Sequence, residues 1–124
     1  MSRKIKYRVW DEEKKKYCTE YNAMTLKHDG EFCIERGWCT ISGGFEVEQY
    51  TGLKDKNGKE IYEGDIVRLY GRFVSAITWQ DDCCGFRWYD NSGDGYCGLS
   101  KDDEEYYEVI GNIHENPELL GGEK

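Results

Sequence analysis

The stretch that most constrains this chain is residues 49–70, where two glycine-bearing turns come directly before an apolar run. Asn57-Gly58 offers the positive-φ pair that a two-residue hairpin turn requires. Glu63-Gly64-Asp65 is a second reversal, and residues 66–70 have the β-branched and aromatic content of a strand. The sequence therefore predicts a hairpin followed by a second turn and a buried strand.

Composition extends this prediction to the whole chain of 124 residues, which has the length of a single domain. Fifteen Gly against one Pro indicate many turns, and ten Tyr, four Trp and four Phe supply an aromatic core. Strand patterns recur every 8–12 residues or so, and from residue 45 onward about five strands fit a small, bent barrel. We therefore expect an all-β fold with an SH3-like barrel over residues 45–120.

The first 44 residues are expected to form a β-hairpin and a variable segment. Tyr7 and Val9 alternate with charged residues as in a half-buried strand, residues 11–16 form a charged turn, and residues 17–21 return as a strand. Residues 22–44 are the hardest to interpret, with short strands predicted near 31–34 and 38–41. Further on, a long strand is predicted over 72–79.

Two short helical turns are predicted towards the C-terminus. Ser100 is a suitable cap for one helical turn, because acidic residues follow it in the first turn. Asn116-Pro117 begins a second, with Asn as the cap and Pro at the first position.

Charge limits the possible partners. The net charge is −8, and residues 80–124 hold three basic and twelve acidic residues, a balance of −9. This argues against a general nucleic-acid binder, because phosphate contacts need clustered cations. Residues 1–16 hold seven basic and three acidic residues, so the hairpin could still bind nucleic acid, with exposed Trp10 or Tyr7 stacking on bases.

The six cysteines, at positions 18, 33, 39, 83, 84 and 97, could form three disulfides. No apolar leader follows Met1, so reduced thiols and a cytoplasmic location are expected instead. No membrane segment is expected, since the longest uncharged run, residues 37–45, is too short to span a bilayer.

Motifs for catalysis or metal binding are weak. The run from Asp90 to Gly95 resembles the start of a calcium loop, but Lys101 stands where a bidentate Glu belongs. The cysteines lack the C-x₂₋₄-C pair of zinc sites, although a site assembled across the fold stays open. The two histidines, His28 and His114, are too few to suggest a proton-shuttling site. We expect no enzyme, no cofactor, no metal and no small-molecule substrate.

Three blocks of the chain resemble the YopX family. The longest is residues 49–67; Arg8-Val9-Trp10-Asp11 and residues 108–120 match the N-terminal and C-terminal blocks in the same order. The resemblance implies a β-rich protein with an SH3-like barrel, typical of bacteriophages, prophages and other mobile elements, whose molecular function is unknown. It therefore implies origin and fold without supplying chemistry.

The function expected from these features is a non-enzymatic module that binds a protein partner or itself. Glu63 and Asp65 could instead be a carboxylate pair for acid–base work, but carboxylates in turns usually accept hydrogen bonds from backbone N–H groups. Tyr, Trp and Arg are the residues that interfaces favour. The candidate binding residues are Arg8, Trp10, Gln49, Tyr50, Thr51 and Asp65.

Overall fold

The computed structural model describes residues 6–18, 23–26, 32–36, 39–41, 45–90 and 95–120. These residues form β-strands and two short 3-10 helices, so the predicted all-β class is confirmed. The chain divides into two compact units, one of residues 7–48 and one of residues 49–124 together with residues 1–6.

The unit of residues 7–48 holds the N-terminal hairpin and a three-stranded meander. Its strands are β1 (Tyr7–Asp11), β2 (Lys16–Tyr17), β3 (Ala23–Leu26), β4 (Phe32–Arg36), β5 (Cys39–Ile41) and the start of β6 (Phe45–Lys54). Strand β1 lies between β2 and β6, and β3, β4 and β5 pair in sequence order, all antiparallel where the register is defined.

The hairpin turn between β1 and β2 is organised by Asp11. Its Oδ1 accepts hydrogen bonds from the backbone N–H groups of Glu13 and Lys14, and Lys15, at a φ of 56°, donates its N–H to the Asp11 carbonyl. The predicted hairpin is therefore present, but its second strand is shorter than predicted in the described residues. The remainder of that strand falls on residues 19–21, which lie outside them.

The other unit is built from three sets of antiparallel strands. They comprise the end of β6, β7 (Glu60–Tyr62), β8 (Asp65–Leu69), β9 (Phe73–Ala76), β10 (Thr78–Gln80), β11 (Gly85–Asp90), β12 (Gly95–Gly98) and β13 (Tyr107–Asn112). Strand β6 pairs with β7, one sheet has the order β13-β8-β9, and another has the order β10-β11-β12. The 3-10 helices are η1 (Lys101–Tyr106) and η2 (Pro117–Leu120), and both predicted helical turns are confirmed.

The core of this unit is aliphatic and aromatic. Apolar residues from all three sets of strands are almost fully buried in it, because alternate strand residues point to the same face. They are Ile61, Val67, Leu69, Ile77, Trp88 and Tyr107.

The predicted long strand over residues 72–79 is wrong, because the chain breaks at Ile77. Ile77 is fully buried, donates its N–H to the Asp65 carbonyl and accepts from the Gly64 N–H. The residues before Ile77 form β9 and pair with β8. The residues after it form β10 and pair with β11. The bend at Ile77 therefore places consecutive parts of the chain in two different sheets.

Candidate functional site

The turn at residues 55–59 is held by a buried carboxylate. Asp55 is 5% exposed; its Oδ1 accepts from the N–H groups of Asn57 and Lys59 at 2.9 Å each, and its Oδ2 accepts from Val109 N–H at 3.0 Å. Gly58 alone in this turn has a positive φ, of 85°. The predicted two-residue turn at Asn57-Gly58 is therefore wrong: residues 55–59 form a five-residue loop between β6 and β7.

The reversal at Glu63-Gly64-Asp65 is confirmed, with Gly64 at a φ of 89°. Asp65 is 2% exposed, and its Oδ2 accepts from the Tyr62 N–H at 2.8 Å, while Glu63 Oε1 accepts from the Gln49 N–H at 3.4 Å. Both carboxylates thus take hydrogen bonds from backbone amides, as carboxylates in turns commonly do. Their arrangement supports a structural role in shaping the entry to β8.

Gln49, Tyr50 and Thr51 lie on β6, beside β7. The Gln49 carbonyl accepts from the Glu63 N–H, and Thr51 Oγ1 donates to the Ile61 carbonyl at 2.8 Å. The buried Tyr50 ring packs on Tyr62 with ring centroids 5.5 Å apart, and burial raises the pKa of its hydroxyl. These contacts join two strands of one sheet, and a binding role for the three residues stays a prediction.

Arg8 and Trp10 lie on β1 in the other unit. Arg8 Nε pairs with Glu48 Oε1 at 2.7 Å, and its guanidinium lies 4.6 Å from the centre of the Tyr17 ring. Trp10 is 2% exposed and packs edge-on against Tyr17. The expectation that an exposed Trp10 stacks on bases is therefore wrong, because the indole has almost no accessible face.

Exposed apolar side chains gather at a different place, which sequence reasoning missed. A cleft of about 290 Å³ runs beside β9, and we call it the β9 cleft. Its lining residues are Val74, Ser75, Ala76, Thr78, Tyr89, Tyr96 and Leu120.

Four of these side chains are both apolar and largely exposed. Tyr96 is 55% and Tyr89 is 48% exposed, and the two rings pack edge-on across β11 and β12 with centroids 5.1 Å apart. Val74 and Leu120 are exposed to a similar degree. The sequence did carry a signal for this surface. Trp88 and Tyr89 are consecutive aromatic residues, so their side chains point to opposite faces of the strand, whereas a strand with one face in the core and the other in water needs apolar residues only on the core face.

A second, smaller cavity of about 140 Å³ lies beside Tyr70 and Tyr106. Its charged groups are engaged with each other: Arg68 Nη1 and Lys56 Nζ lie 3.0 and 3.8 Å from Glu108 Oε1. The Tyr70 hydroxyl donates to Asp103 Oδ2 at 3.0 Å, and its pKa is raised by burial and then by hydrogen bonds with Tyr107 and Asp103. The polar side chains beside this cavity therefore bond to one another, at the rim of the core.

The cysteines with described side chains are all free thiols. Cys18 is buried, Cys97 is half-buried, and the adjacent Cys83 and Cys84 are exposed in the turn between β10 and β11. Cys84 has a φ of 52°, which L residues rarely adopt. The calcium-like loop falls mostly on residues 91–94, which lie outside the described residues, but its flanks are the strands β11 and β12, as a hairpin loop requires.

Neither of the two helices described in the structure is long and apolar enough to cross a membrane.

The fold and its signature turns define an all-β protein of short antiparallel strands, with buried carboxylates at its reversals. The chain belongs to the YopX family, since the family model described as YopX protein matches residues 6–121. The comparison with curated proteins finds no match.

Two solved structures are similar along almost the whole chain. Protein EF1440 from Enterococcus faecalis has 29% sequence identity and a TM-score of 0.65, covering 97% of this chain and 100% of its own. Protein yopX from Bacillus subtilis has 22% identity and the same TM-score, covering 93% and 97%. The second likeness shows the fold alone.

Proposed function

We propose that this chain is an accessory protein of a phage or other mobile element that works without catalysis, by binding a basic protein partner in the β9 cleft. In this proposal the strands of residues 45–120 are a variant of the SH3-like barrel, and the protein works in the cytoplasm. The phage origin is supported by the family resemblance.

The observation that carries the proposal is the group of exposed apolar side chains in the β9 cleft. Val74, Tyr89, Tyr96 and Leu120 are each more than two-fifths exposed although they line one cleft. Tyrosine is enriched among the residues that dominate binding energy at protein interfaces, and a rigid ring loses little entropy on binding. Two exposed tyrosines already packed together are therefore suited to anchor a partner.

The size of the cleft and the charge of the chain favour a particular partner. A drug-sized ligand is largely buried in its pocket, whereas four of the side chains that line this cleft of about 290 Å³ are more than two-fifths exposed, so the cleft suits side chains of a protein better. A net charge of −8 opposes a second copy of the same chain and attracts a basic protein. The acidic 3-10 helix η1, with Asp102, Asp103 and Glu104 in its first turn, adds to this field.

Nucleic-acid binding by the N-terminal hairpin is less well supported. Arg8 is paired with Glu48 of β6, and Lys15 is paired with Glu12 of the hairpin itself, so part of the hairpin's positive charge is neutralised by nearby carboxylates. Trp10 is buried. Both of these features reduce the cationic and stacking surface that such binding needs.

The test is affinity capture from lysogenic or phage-infected cells, followed by titration of each purified captured protein. Wild type is compared with Tyr89→Ala/Tyr96→Ala, which removes both exposed rings. We expect the double variant to weaken the partner's binding by about 30-fold or more, the effect of losing an interface hot spot. The association rate should also fall as salt is raised.

Tyr106→Ala is the matched control, because Tyr106 is 49% exposed but lies outside the cleft. It should bind the partner as wild type does. Equal affinity of the double variant and wild type would place the interface elsewhere and overturn the proposal. So would light scattering that shows only a monomer, or a homodimer, with no heterologous partner at any concentration tested.

A further inference from the structure

The outer face of the β10-β11-β12 sheet carries an arginine beside the β9 cleft. Alternate residues of a strand share a face, so Arg87 lies on the same face of β11 as the exposed Tyr89. The register places Arg87 opposite Thr78 on β10, and Thr78 lines the cleft. The Arg87 side chain is half-buried. This arginine therefore borders the surface that we propose binds the partner.

A glycine provides the space in which the Arg87 guanidinium lies. A Cβ atom at Gly85 would stand 2.8 Å from Arg87 Nη1, which is closer than real Cβ atoms come to a neighbour. The guanidinium thus occupies the place of the side chain that Gly85 lacks. On the neighbouring strand β12, a Cβ atom at Gly98 would lie 3.9 Å from Arg87 Cζ, which is an ordinary contact. Of the two glycines, only Gly85 must lack a side chain for the guanidinium to lie there.

No carboxylate of the described residues forms an ion pair with this guanidinium. Its hydrogen bond within the described part of the chain runs from Arg87 Nη1 to the Phe86 carbonyl at 2.8 Å. Residues 80–124 hold twelve acidic residues against three basic ones, yet the nearby Asp81 accepts from Trp79 Nε1 at 2.8 Å instead. Because a guanidinium has five N–H donors, most of those of Arg87 remain for an acceptor from outside the chain.

We propose that Arg87 binds a carboxylate of the partner, carried by an Asp, a Glu or the C-terminus, beside the β9 cleft. This rests on the proposed function and specifies what the partner presents there. A planar guanidinium binds a carboxylate through two parallel N–H···O bonds. The net charge of −8 favours a carboxylate over a phosphate group, because it opposes a dianion about twice as strongly. The partner thus carries one acidic group at this contact, although it is basic overall.

The geometry also predicts a spacing in the partner. The guanidinium lies over Gly85, which is four residues from Tyr89 on β11, or about 13 Å along the strand. An extended segment lying on this face covers such a length with about four residues. The carboxylate should therefore come about three to five residues from the apolar side chain that packs on Tyr89 and Tyr96.

The probe for the experiment is the tightest peptide selected from a random peptide library against the full chain. Its carboxylates are replaced by amides one at a time, and affinities are measured by titration. One replacement should weaken binding to wild type by about ten-fold or more, because it breaks the pair with Arg87. The same replacement should have little effect on binding to Arg87→Gln, in which the pair is already absent. Equal effects on both proteins, or no carboxylate whose replacement matters, would overturn the inference.

Three further variants separate a carboxylate contact from a general change in charge. Gly85→Ala keeps the arginine but displaces its guanidinium, so it should weaken binding by about three-fold or more, whereas Gly98→Ala should bind as wild type does. Arg68→Gln removes an arginine that pairs with Glu108 outside the cleft, and it should also bind as wild type does. If Arg68→Gln weakens binding as much as Arg87→Gln, the peptide responds to net charge and the inference is wrong. Urea unfolding verifies that each variant is folded.

The outcomes distinguish this inference from the proposed function. If Tyr89→Ala/Tyr96→Ala abolishes binding of the peptide but Arg87→Gln binds it as wild type does, the carboxylate contact is wrong and the cleft remains the binding surface. If no library peptide binds, the same variants are titrated with the purified captured partner, and wild-type affinity of Arg87→Gln again refutes the contact. If neither a peptide nor a partner binds, both proposals fall.

Discussion

Strands β8 and β9 are neighbours in one sheet, yet they differ in what surrounds them. In β8 every residue except Arg68 is buried, and β13 and β9 pair with its two sides. In β9 only Ser75 is buried, and one side of the strand lines the β9 cleft. The comparison indicates that the stability of this unit is concentrated in the central strand, whereas the surface proposed to bind a partner lies beside the end strand of the sheet.

The sharpest test of this contrast is the same substitution at a buried and an exposed leucine. Leu69 is fully buried on β8 and Leu120 is 46% exposed in the cleft. Leu69→Ala should lower the free energy of unfolding by about 3–4 kcal/mol, since it removes buried methyl groups and leaves a cavity. Leu120→Ala should lower it by less than about 1 kcal/mol. Urea unfolding measures both, and similar losses would refute the contrast.

The next effect concerns the buried carboxylate at Asp55. Asp55→Asn keeps one oxygen for the Asn57 and Lys59 N–H groups but turns an NH₂ group towards the Val109 N–H, leaving that half-buried donor unpaired. We expect a loss of about 2 kcal/mol in the free energy of unfolding.

Asp82→Asn, at an exposed position, is the control for Asp55→Asn and should change stability by less than about 0.5 kcal/mol. If Asp55→Asn leaves the free energy of unfolding unchanged, the turn at residues 55–59 does not depend on its buried carboxylate.

A smaller effect, in the opposite direction, is expected at Cys84. This residue holds a φ of 52° without being a glycine, whereas its neighbour Cys83 does not have a positive φ. Cys84→Gly should stabilise the protein by up to about 1 kcal/mol because it relieves a left-handed backbone. Cys83→Gly should not stabilise it. Thermal unfolding of the two variants under reducing conditions decides between them.

The smallest effect is a pH dependence at the rim of the core. The pKa of Tyr70 is raised in the folded protein by burial and by hydrogen bonds with Tyr107 and Asp103, whereas the unfolded chain has the usual value of about 10. Its contribution to stability is therefore complete below pH 10 and is lost as the pH rises further. The free energy of unfolding of Tyr70→Phe should fall less steeply above pH 10 than that of wild type. An unchanged dependence on pH would contradict the assignment of this loss to Tyr70.

The sequence predicted local features better than sheet order. Gly58 and Gly64 marked both reversals, and the composition of residues 66–69 identified β8. The role of Asp55 was missed because one of its hydrogen bonds reaches Val109, 54 residues away. No local pattern reports such a contact.

The β9 cleft was missed for a related reason. Val74 and Tyr89 are exposed apolar residues in strands, and a sequence does not show whether such a residue faces a neighbouring sheet or solvent. The break at Ile77 was hidden too, because a fully buried apolar residue suits a continuous strand as well as a bend. Two of the candidate binding residues, Tyr50 and Asp65, are buried and make contacts within the fold, and a binding role for them stays a prediction.

The turn that carries Cys83 and Cys84 also affects how the protein must be handled. Both thiols are exposed on one hairpin tip, so two molecules that meet in air-saturated buffer can be cross-linked through a disulfide. Such covalent dimers would imitate self-association in a sizing column. Mass measurements therefore need a reductant, or Ser at both positions, before any dimer is attributed to the cleft.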